Sequence, residues 1–179
     1  MNFLKINLKP ILFFSCYACI LIFSTIGDFN LFDWDEINFA ESSREMLLSN
    51  NFSQVMINFE PFHEKPPLFF WIQTISFKIF GITSFAARFP NALLSIIILI
   101  ILFKIGTRLK NTTFGWIWSI TFLAGFLPNL YFRSGIIDPY FNLFIFLSIY
   151  FFFSYIRIKY SRYIFLSSFF AGLAILCKG

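Results

Sequence analysis

Long apolar stretches without charge constrain the fold of this chain most, because each is long enough, alone or with its flanks, to cross a membrane. The predicted spans cover about residues 10–27, 85–104, 111–132, 138–156 and 162–178. A transmembrane helix needs about 20 predominantly apolar residues. The second and fifth spans must recruit their flanks, with Arg88 and Lys178 reaching toward the lipid headgroups. Since 13% of the residues are charged, against about a quarter in soluble domains, the sequence predicts an all-α, polytopic transmembrane helix bundle.

The basic residues lie at alternate ends of these spans and predict the orientation of the chain. If the five spans alternate in direction, one side of the membrane contains Lys5, Lys9, Lys104, Arg108, Lys110, Arg157, Lys159 and Arg162. Short loops rich in lysine and arginine stay in the cytoplasm. The sequence therefore predicts a multi-pass protein of the plasma (inner) membrane with a cytoplasmic N-terminus and all nine acids on the extracytoplasmic side. The basic residues form no single stripe, so we expect the lipid bilayer as a partner and no nucleic acid.

A large external loop, residues 28–84, separates the first two spans. Its first part, DWDEINFAESSREML at residues 33–47, predicts a helix over residues 36–49, because Asp35 can accept the free backbone N–H groups at the helix start. A second helix is predicted over residues 66–80, since proline suits a first turn and Gly81 suits a helix end. Both predicted helices are short and amphipathic, which is typical of helices that lie at a membrane surface.

Asp35 and Glu36 are the first candidate catalytic residues. Ionised carboxylates at a membrane face can act as a general base, orient a substrate hydroxyl or hold a divalent ion. The alternative is that the two acids only cap and solubilise the helix.

The sequence HEKP at residues 63–66 is the second candidate site. Lys65 lies at a predicted helix start, where the ammonium and the helix N-terminus both favour an anion such as a lipid phosphate. Glu64 and its neighbour His63 are potential ligands of a divalent metal ion. A lysine that pairs with Glu64 and reaches the membrane interface is the alternative.

Further candidates lie at the external ends of the later spans. Asp138 can cap the fourth span, with Pro139 in its first turn, or it can face the same cavity as Asp35. Lys178 ends the fifth span on that side and can contact a phosphate or anchor the helix at the interface. Arg88, at the external start of the second span, is also a candidate substrate-binding residue.

Several segments share their order and spacing with one known group of proteins. These segments are DWDEINFAESSREML, HEKPPLFFWIQTISFKIFG, FAARFPNAL, GIIDPYF and AGLAILCKG. They resemble the N-terminal half of bacterial membrane glycosyltransferases of the protein O-mannosyltransferase and aminoarabinose transferase type, within the GT-C superfamily. The similarity covers nearly the whole chain after residue 30. We therefore expect residues 1–179 to be the N-terminal part of a longer membrane glycosyltransferase domain.

The resemblance implies an enzyme that moves a sugar from a polyprenyl-phosphate donor to a lipid, glycan or protein acceptor at the outer membrane face. It implies that Asp35 is the catalytic acid of the first external loop and that Lys65 holds the carrier phosphate. Glu64 matches a position linked to a divalent metal ion of unknown identity. Asp138 and Lys178 match residues that line the cavity and its mouth.

Two other functional interpretations remain at this point. A transporter or flippase for a lipid-linked or anionic solute would use the same charges along a pathway. It would place ionisable groups midway in the spans, whereas here the charges gather at one face, which favours an enzyme. The third interpretation is that these 179 residues are inactive without later spans.

Overall fold

The computed structural model describes residues 8–32 and 34–179, and these are mainly helical, as the sequence predicts. Two of the residues used above, Lys5 and Asp33, lie outside the described part. The elements are α1 (Leu8–Tyr17) with a π-helical continuation (Ala18–Phe23), α2 (Asp35–Ser49), β1 (Met56–Ile57), β2 (Glu60–Pro61), α3 (Leu68–Phe80), α4 (Ser84–Leu109), α5 (Thr112–Ala124), α6 (Phe126–Phe132), α7 (Asp138–Ile158) and α8 (Ser161–Lys178).

Three helices of the described part, α4, α7 and α8, are long and apolar enough to cross a membrane by length and composition. They correspond to the predicted second, fourth and fifth spans. The first predicted span is the shorter apolar segment Leu8–Phe23, and the third is divided between α5 and α6. The total of five spans therefore stays a prediction.

The prediction of one continuous helix over residues 111–132 is wrong, because the chain breaks at Gly125, whose backbone is extended. Pro128 lies in the first turn of α6, where its missing N–H costs nothing, whereas inside one long helix it would remove a hydrogen bond. The side chain of Asn129 donates to the carbonyls of Leu123 and Gly125, and Tyr17 donates to Asn129 Oδ1 at 3.0 Å. Carbonyls at the break are thus satisfied without water, as a membrane interior requires.

Helices α4 and α5 approach each other closely at two glycines. A Cβ built on Gly115 would lie 2.5 Å from Thr107 Oγ1 and 2.6 Å from the carbonyl oxygen of Phe103, and one built on Gly106 would lie 2.9 Å from Gly115 Cα. Nearby, Ser119 donates to the carbonyl of Leu99 at 3.1 Å. Small residues let transmembrane helices pack backbone to backbone in this way.

The external-loop helices have nearly the predicted bounds. The prediction that Asp35 caps α2 is wrong, because Trp34 (φ 72°) is the N-cap and no side chain caps the helix. Asp35 is instead the first residue of α2, which therefore begins one residue early. It ends at Asn50, which is left-handed. Helix α3 begins at Leu68, two residues late, and ends at Gly81 as predicted.

Helix α2 packs its buried face against α3 and the start of α4. Ser43 donates to Gln73 Oε1 at 2.6 Å, and Gln73 in turn donates to the carbonyl of Ala87 at 2.9 Å. The ring of Phe39 meets those of Phe69 and Phe70 edge to face, with centroids 6.0 and 5.8 Å apart. The segment between α1 and α4 is therefore a packed layer over the N-terminal end of α4.

Candidate functional site

A buried ion pair lies beneath the start of α2. Arg88 Nε and Nη2 donate to the two carboxylate oxygens of Glu36, each at 2.8 Å, and their side chains are 2% and 1% exposed. The backbone N–H of Gly135 donates to Glu36 Oε1 at 2.5 Å, and that of Phe32 donates to Oε2 at 2.7 Å. Glu36 thus joins the external loop, α4 and the segment before α7.

Arg88 also organises the backbone that leads into α2. Its guanidinium donates to the carbonyls of Ile26 and Phe29 at 2.9 Å and of Asn30 at 2.8 Å. The expectation that Arg88 reaches the headgroups is wrong, because its nitrogens are engaged inside the protein. Burying a charge is costly unless it is paired and hydrogen-bonded, and this network meets that condition.

Asp35 has a different environment from Glu36, although the two are adjacent. It is exposed in the first turn of α2, and within residues 8–32 and 34–179 no hydrogen bond or ion pair engages its carboxylate. A negative charge in the first turn of a helix is stabilised by the helix dipole. Asp35 is therefore held at a fixed place with its carboxylate open to solvent or substrate.

Asp138 lies near this point because the segment before it is anchored on α4. Asn91 donates to the carbonyls of Ser134 at 2.6 Å and Ile136 at 2.8 Å, while Gly135 is bound to Glu36. The short connection from α6 to α7 is thereby fastened beside the start of α2. Asp35 and Asp138, each the first residue of its helix, lie at the same end of the bundle.

Asp138 pairs with Lys178 across α7 and α8. Lys178 Nζ donates to Asp138 Oδ1 at 2.7 Å, and the two side chains are 39% and 27% exposed. The prediction that Asp138 is the N-cap is wrong, because Ile137 occupies that position and Asp138 begins the helix without a side-chain cap. Its carboxylate contacts the ammonium of Lys178 instead.

Lys65 lines a polar pocket of about 480 Å³ between the two arms of the loop that joins α2 to α3. The lining residues are Asn51, Ser53, Gln54, Val55, Phe62, His63, Lys65, Pro66 and Pro67. The end of α8 lies beside this loop, since a Cβ built on Gly179 would be 3.9 Å from Pro66 Cγ. The structure therefore brings Lys65 to the same end of the bundle as Lys178.

The described residues do not form a metal site by themselves. Glu64 and His63 are exposed neighbours, and no group of three or more histidine, cysteine, aspartate or glutamate side chains within residues 8–32 and 34–179 could hold an ion. Glu64 can supply one ligand at most, whereas divalent cations take several oxygen or nitrogen ligands.

The outer face of α2 carries an ion pair away from these residues. Arg44 Nε donates to Glu41 Oε2 at 2.8 Å. This hydrogen bond holds the pKa of Glu41 below its ordinary value of 4.5. The pair is half-exposed and stabilises the helix surface only weakly.

The sequence analysis missed several residues on and near the buried face of α2, notably Gln73, Asn91 and Gly135. A signal for Glu36 was present, because helical spacing places it on the same face as Phe39, Ala40 and Ser43, all buried. An acid on an otherwise buried face needs a partner. Nothing local in the sequence identifies that partner as Arg88, 52 residues away.

Comparison with known proteins shows what the chain is similar to. The family model described as dolichyl-phosphate-mannose-protein mannosyltransferase matches residues 64–179. An uncharacterised protein of Aquifex aeolicus is 31% identical over 89% of the chain and 32% of its own length. An undecaprenyl phosphate-alpha-4-amino-4-deoxy-L-arabinose arabinosyl transferase of Shewanella sediminis is 30% identical over 78% of the chain and 25% of its own length.

Two crystal structures of ArnT from Cupriavidus metallidurans share the fold. The apo structure has a TM-score of 0.85 at 20% identity, covering 96% of the chain and 33% of that protein. The structure bound to undecaprenyl phosphate has a TM-score of 0.79 at 19% identity, covering 97% of the chain and 33% of that protein. The chain thus spans a third or less of the length of these relatives.

Proposed function

Because the chain belongs to the dolichyl-phosphate-mannose-protein mannosyltransferase family, we propose that it is part of a membrane glycosyltransferase that uses a polyprenyl-phosphate sugar donor. The acceptor is a lipid, glycan or protein. The named activity of the Shewanella sediminis relative supports a sugar transferase over the transporter considered from the sequence. The undecaprenyl phosphate in the ArnT structure supports a polyprenyl-phosphate carrier.

The observation that carries this proposal is the gathering of four residues at one end of the bundle. Asp35 and Asp138 begin helices that the buried Glu36 network fastens together. Asp138 binds Lys178, and the end of α8 lies beside the loop that bears Lys65. Two cations and two carboxylates at the same end of the bundle suit a reaction in which a phosphate leaves and an acceptor is deprotonated.

The proposed roles follow from charge. As the bond between the sugar carbon and the phosphate oxygen breaks, negative charge grows on the phosphate, and Lys65 and Lys178 stabilise it. Asp35 accepts the proton of an acceptor hydroxyl, whereas a phosphate acceptor needs no base. Asp138 holds the Lys178 ammonium in position.

Glu36 and Arg88 have a supporting role in this proposal. Both side chains are almost completely buried and bound to each other, so substrate does not reach them without breaking the pair. We assign them to positioning Asp35 and the segment before Asp138. Glu64, which is exposed beside Lys65, is the candidate metal ligand, together with ligands outside the described residues.

The chain is a multi-pass membrane protein, and we propose the plasma (inner) membrane as its location. The basic residues Lys104, Arg108 and Lys110 lie at the opposite end of α4 from the site. By the positive-inside rule that end is cytoplasmic. The N-terminus is then cytoplasmic, and the site faces the outside of the membrane.

Sugar transfer by the full-length protein in membranes, with a radiolabelled polyprenyl-phosphate sugar, tests the proposal. We expect Asp35→Asn to lower transfer about 10²-fold or more, as loss of a general base does. We expect Lys65→Ala to lower it by a factor on the order of 10² by removing charge stabilisation.

Lys110→Ala, an exposed lysine at the opposite end of α4, is the matched control and should transfer sugar as the wild type does. Equal transfer by Asp35→Asn, Lys65→Ala and wild type at matched expression would refute the site. Absence of transfer in the wild-type protein with every polyprenyl-phosphate sugar tried would count against the function itself.

A further inference from the structure

A second buried acid of α2, Glu45, lies outside the proposed chemistry. Its side chain is 1% exposed, and Oε2 accepts a 2.8 Å hydrogen bond from the backbone N–H of Phe59. Within residues 8–32 and 34–179 the salt bridges involve Glu36, Glu41 and Asp138, and Glu45 interacts at its other side with Glu41 and Arg44 of the same helix. A carboxylate is kept in such a buried place only when its hydrogen bond is formed.

The hydrogen bond of Glu45 is made to the turn between β1 and β2, whose backbone is strained. Strands β1 and β2 pair Ile57 with Glu60, so Asn58 and Phe59 alone form the turn, and both have positive φ (56° and 59°). A two-residue turn of this kind favours Asn-Gly, because glycine tolerates the left-handed conformation. Phe59 stands where glycine is preferred, so the turn needs a contact from outside the hairpin, and Glu45 provides one.

The hairpin connects the two arms of the pocket that contains Lys65. One arm, residues 51–55, leads into β1, and the other leaves β2 and reaches Lys65. The arms are joined at their base where Phe62 N–H donates to the carbonyl of Val55 at 2.8 Å. Trp71 Nε1 donates to the carbonyl of Phe52 at 2.7 Å and fastens the first arm to α3. Lys65 thus lies on the arm that leaves the hairpin, shortly after β2.

We propose that Glu45 is a positioning residue for the sugar-donor site. Its hydrogen bond to Phe59 holds the hairpin, and the hairpin holds Lys65 against the pocket that takes the phosphate end of the donor. This inference rests on the proposed function for its consequence in catalysis, whereas the mechanical link from Glu45 to the hairpin stands on the structure. A glutamine at this position can accept the same bond through its amide oxygen, and an alanine cannot.

The first test measures hydrogen exchange in the full-length protein, which requires no activity. In Glu45→Ala we expect the amides of Phe59 and Phe62 to exchange about tenfold faster, as loss of a hydrogen bond to a charged group does. Glu45→Gln should stay near the wild-type rate. Asp28→Ala, which removes an exposed acid of the segment before α2, is the control and should leave both amides unchanged.

The second test measures donor kinetics with the same variants. We expect kcat/KM for the polyprenyl-phosphate sugar to fall about tenfold in Glu45→Ala, in proportion to the exchange, while KM for the acceptor is unchanged and Glu45→Gln restores activity. A general loss of structure would raise both KM values and would not be restored selectively.

A double variant separates the hairpin from global folding. Phe59→Gly relieves the left-handed strain, so Glu45→Ala with Phe59→Gly should recover protection at Phe62 and donor kinetics. Failure of this recovery, or slow exchange in Glu45→Ala alone, would overturn the inference. If the wild type transfers no sugar, the proposed function fails, and the exchange experiment still decides whether Glu45 holds the hairpin.

Discussion

Arg88 Nε lies 2.8 Å from Glu36 Oε1, with both side chains almost excluded from solvent. The pair is the point at which three parts of the chain, near residues 30, 88 and 135, are bound together. Removing one partner leaves the other charge buried without compensation.

Arg88→Met should therefore lower the free energy of unfolding by about 3–5 kcal/mol, or prevent folding. Arg44→Met, which breaks the half-exposed pair with Glu41, should cost under about 1 kcal/mol. Thermal unfolding of the full-length protein in detergent provides the measurement. Equal effects of the two substitutions would show that the buried pair contributes no more than the exposed one.

Gly115→Ala tests the close contact of α4 and α5. The added methyl group would meet Thr107 Oγ1 at 2.5 Å and the carbonyl oxygen of Phe103 at 2.6 Å, so the helices must separate. We expect a loss of about 1–3 kcal/mol in the free energy of unfolding. Gly172→Ala, where nothing lies within 4 Å of the new Cβ, is the matched control and should be neutral or slightly stabilising. The prediction fails if both variants unfold at the same temperature.

The ion pair of Asp138 and Lys178 makes a prediction for activity. Lys178→Met removes the cation and should lower kcat/KM for the donor by a factor on the order of 10². Asp138→Asn keeps the Lys178 ammonium but removes the carboxylate that holds it in place, so we expect a smaller loss of kcat/KM. The double variant should be only slightly less active than Lys178→Met alone. Steady-state transfer by the two single variants and the double variant measures this coupling. Fully additive losses would show that the two residues act independently.

Glu41 makes a prediction for pH. Its pKa is lowered by Arg44 in the folded protein, so the pair stabilises the fold above the ordinary pKa of 4.5, and this contribution is lost as the pH falls through the lowered pKa. The stability difference between wild type and Arg44→Met should thus be small at pH 7 and disappear in acid. Denaturant titrations at a series of pH values provide the test, and a difference that persists in acid would contradict it.

The helices of the external loop could be predicted from the sequence because their signals are local. Asp35 and Glu36 mark the start of α2, Asn50 marks its end, and Gly81 ends α3. Asn50 and Gly81 act through their backbone conformation, and the acids of the first turn act through the helix dipole, since no side chain caps α2. Local chemistry therefore fixed these bounds to within two residues.

The break in the third predicted span could not be predicted from apolar composition. Gly125 and Pro128 are tolerated in transmembrane helices when neighbours satisfy the freed carbonyls. Here Asn129 satisfies them while Tyr17, 112 residues away in the chain, binds Asn129. The hydropathy of residues 111–132 indicates one uninterrupted apolar segment, and it contains no information about the contact between Tyr17 and Asn129.

The residues of the candidate site could be predicted from the sequence, but their burial and their contacts could not. The clustering of acids identified Asp35 and Glu36 together, although the fold separates an exposed carboxylate from a buried one. That separation depends on Arg88 and Gly135, both distant in sequence. Asp35 and Glu36 differ in role because Glu36 has tertiary hydrogen-bond partners and Asp35 has none among the described residues, and such partners cannot be identified from neighbouring sequence.

The buried network also dictates an order of assembly during synthesis. Gly135 follows Glu36 by 99 residues, so the last donor to Glu36 does not exist until the α6–α7 connection has been made and inserted. Until then the carboxylate lacks one of its partners, and the segment before α7 cannot bind to the start of α2. We expect nascent chains arrested before residue 135 to leave the α2 region open to protease on the external side, and chains arrested after α7 to protect it. The Glu36 carboxylate, which joins three segments in the finished protein, thus acquires its last hydrogen bond only in a late step of assembly.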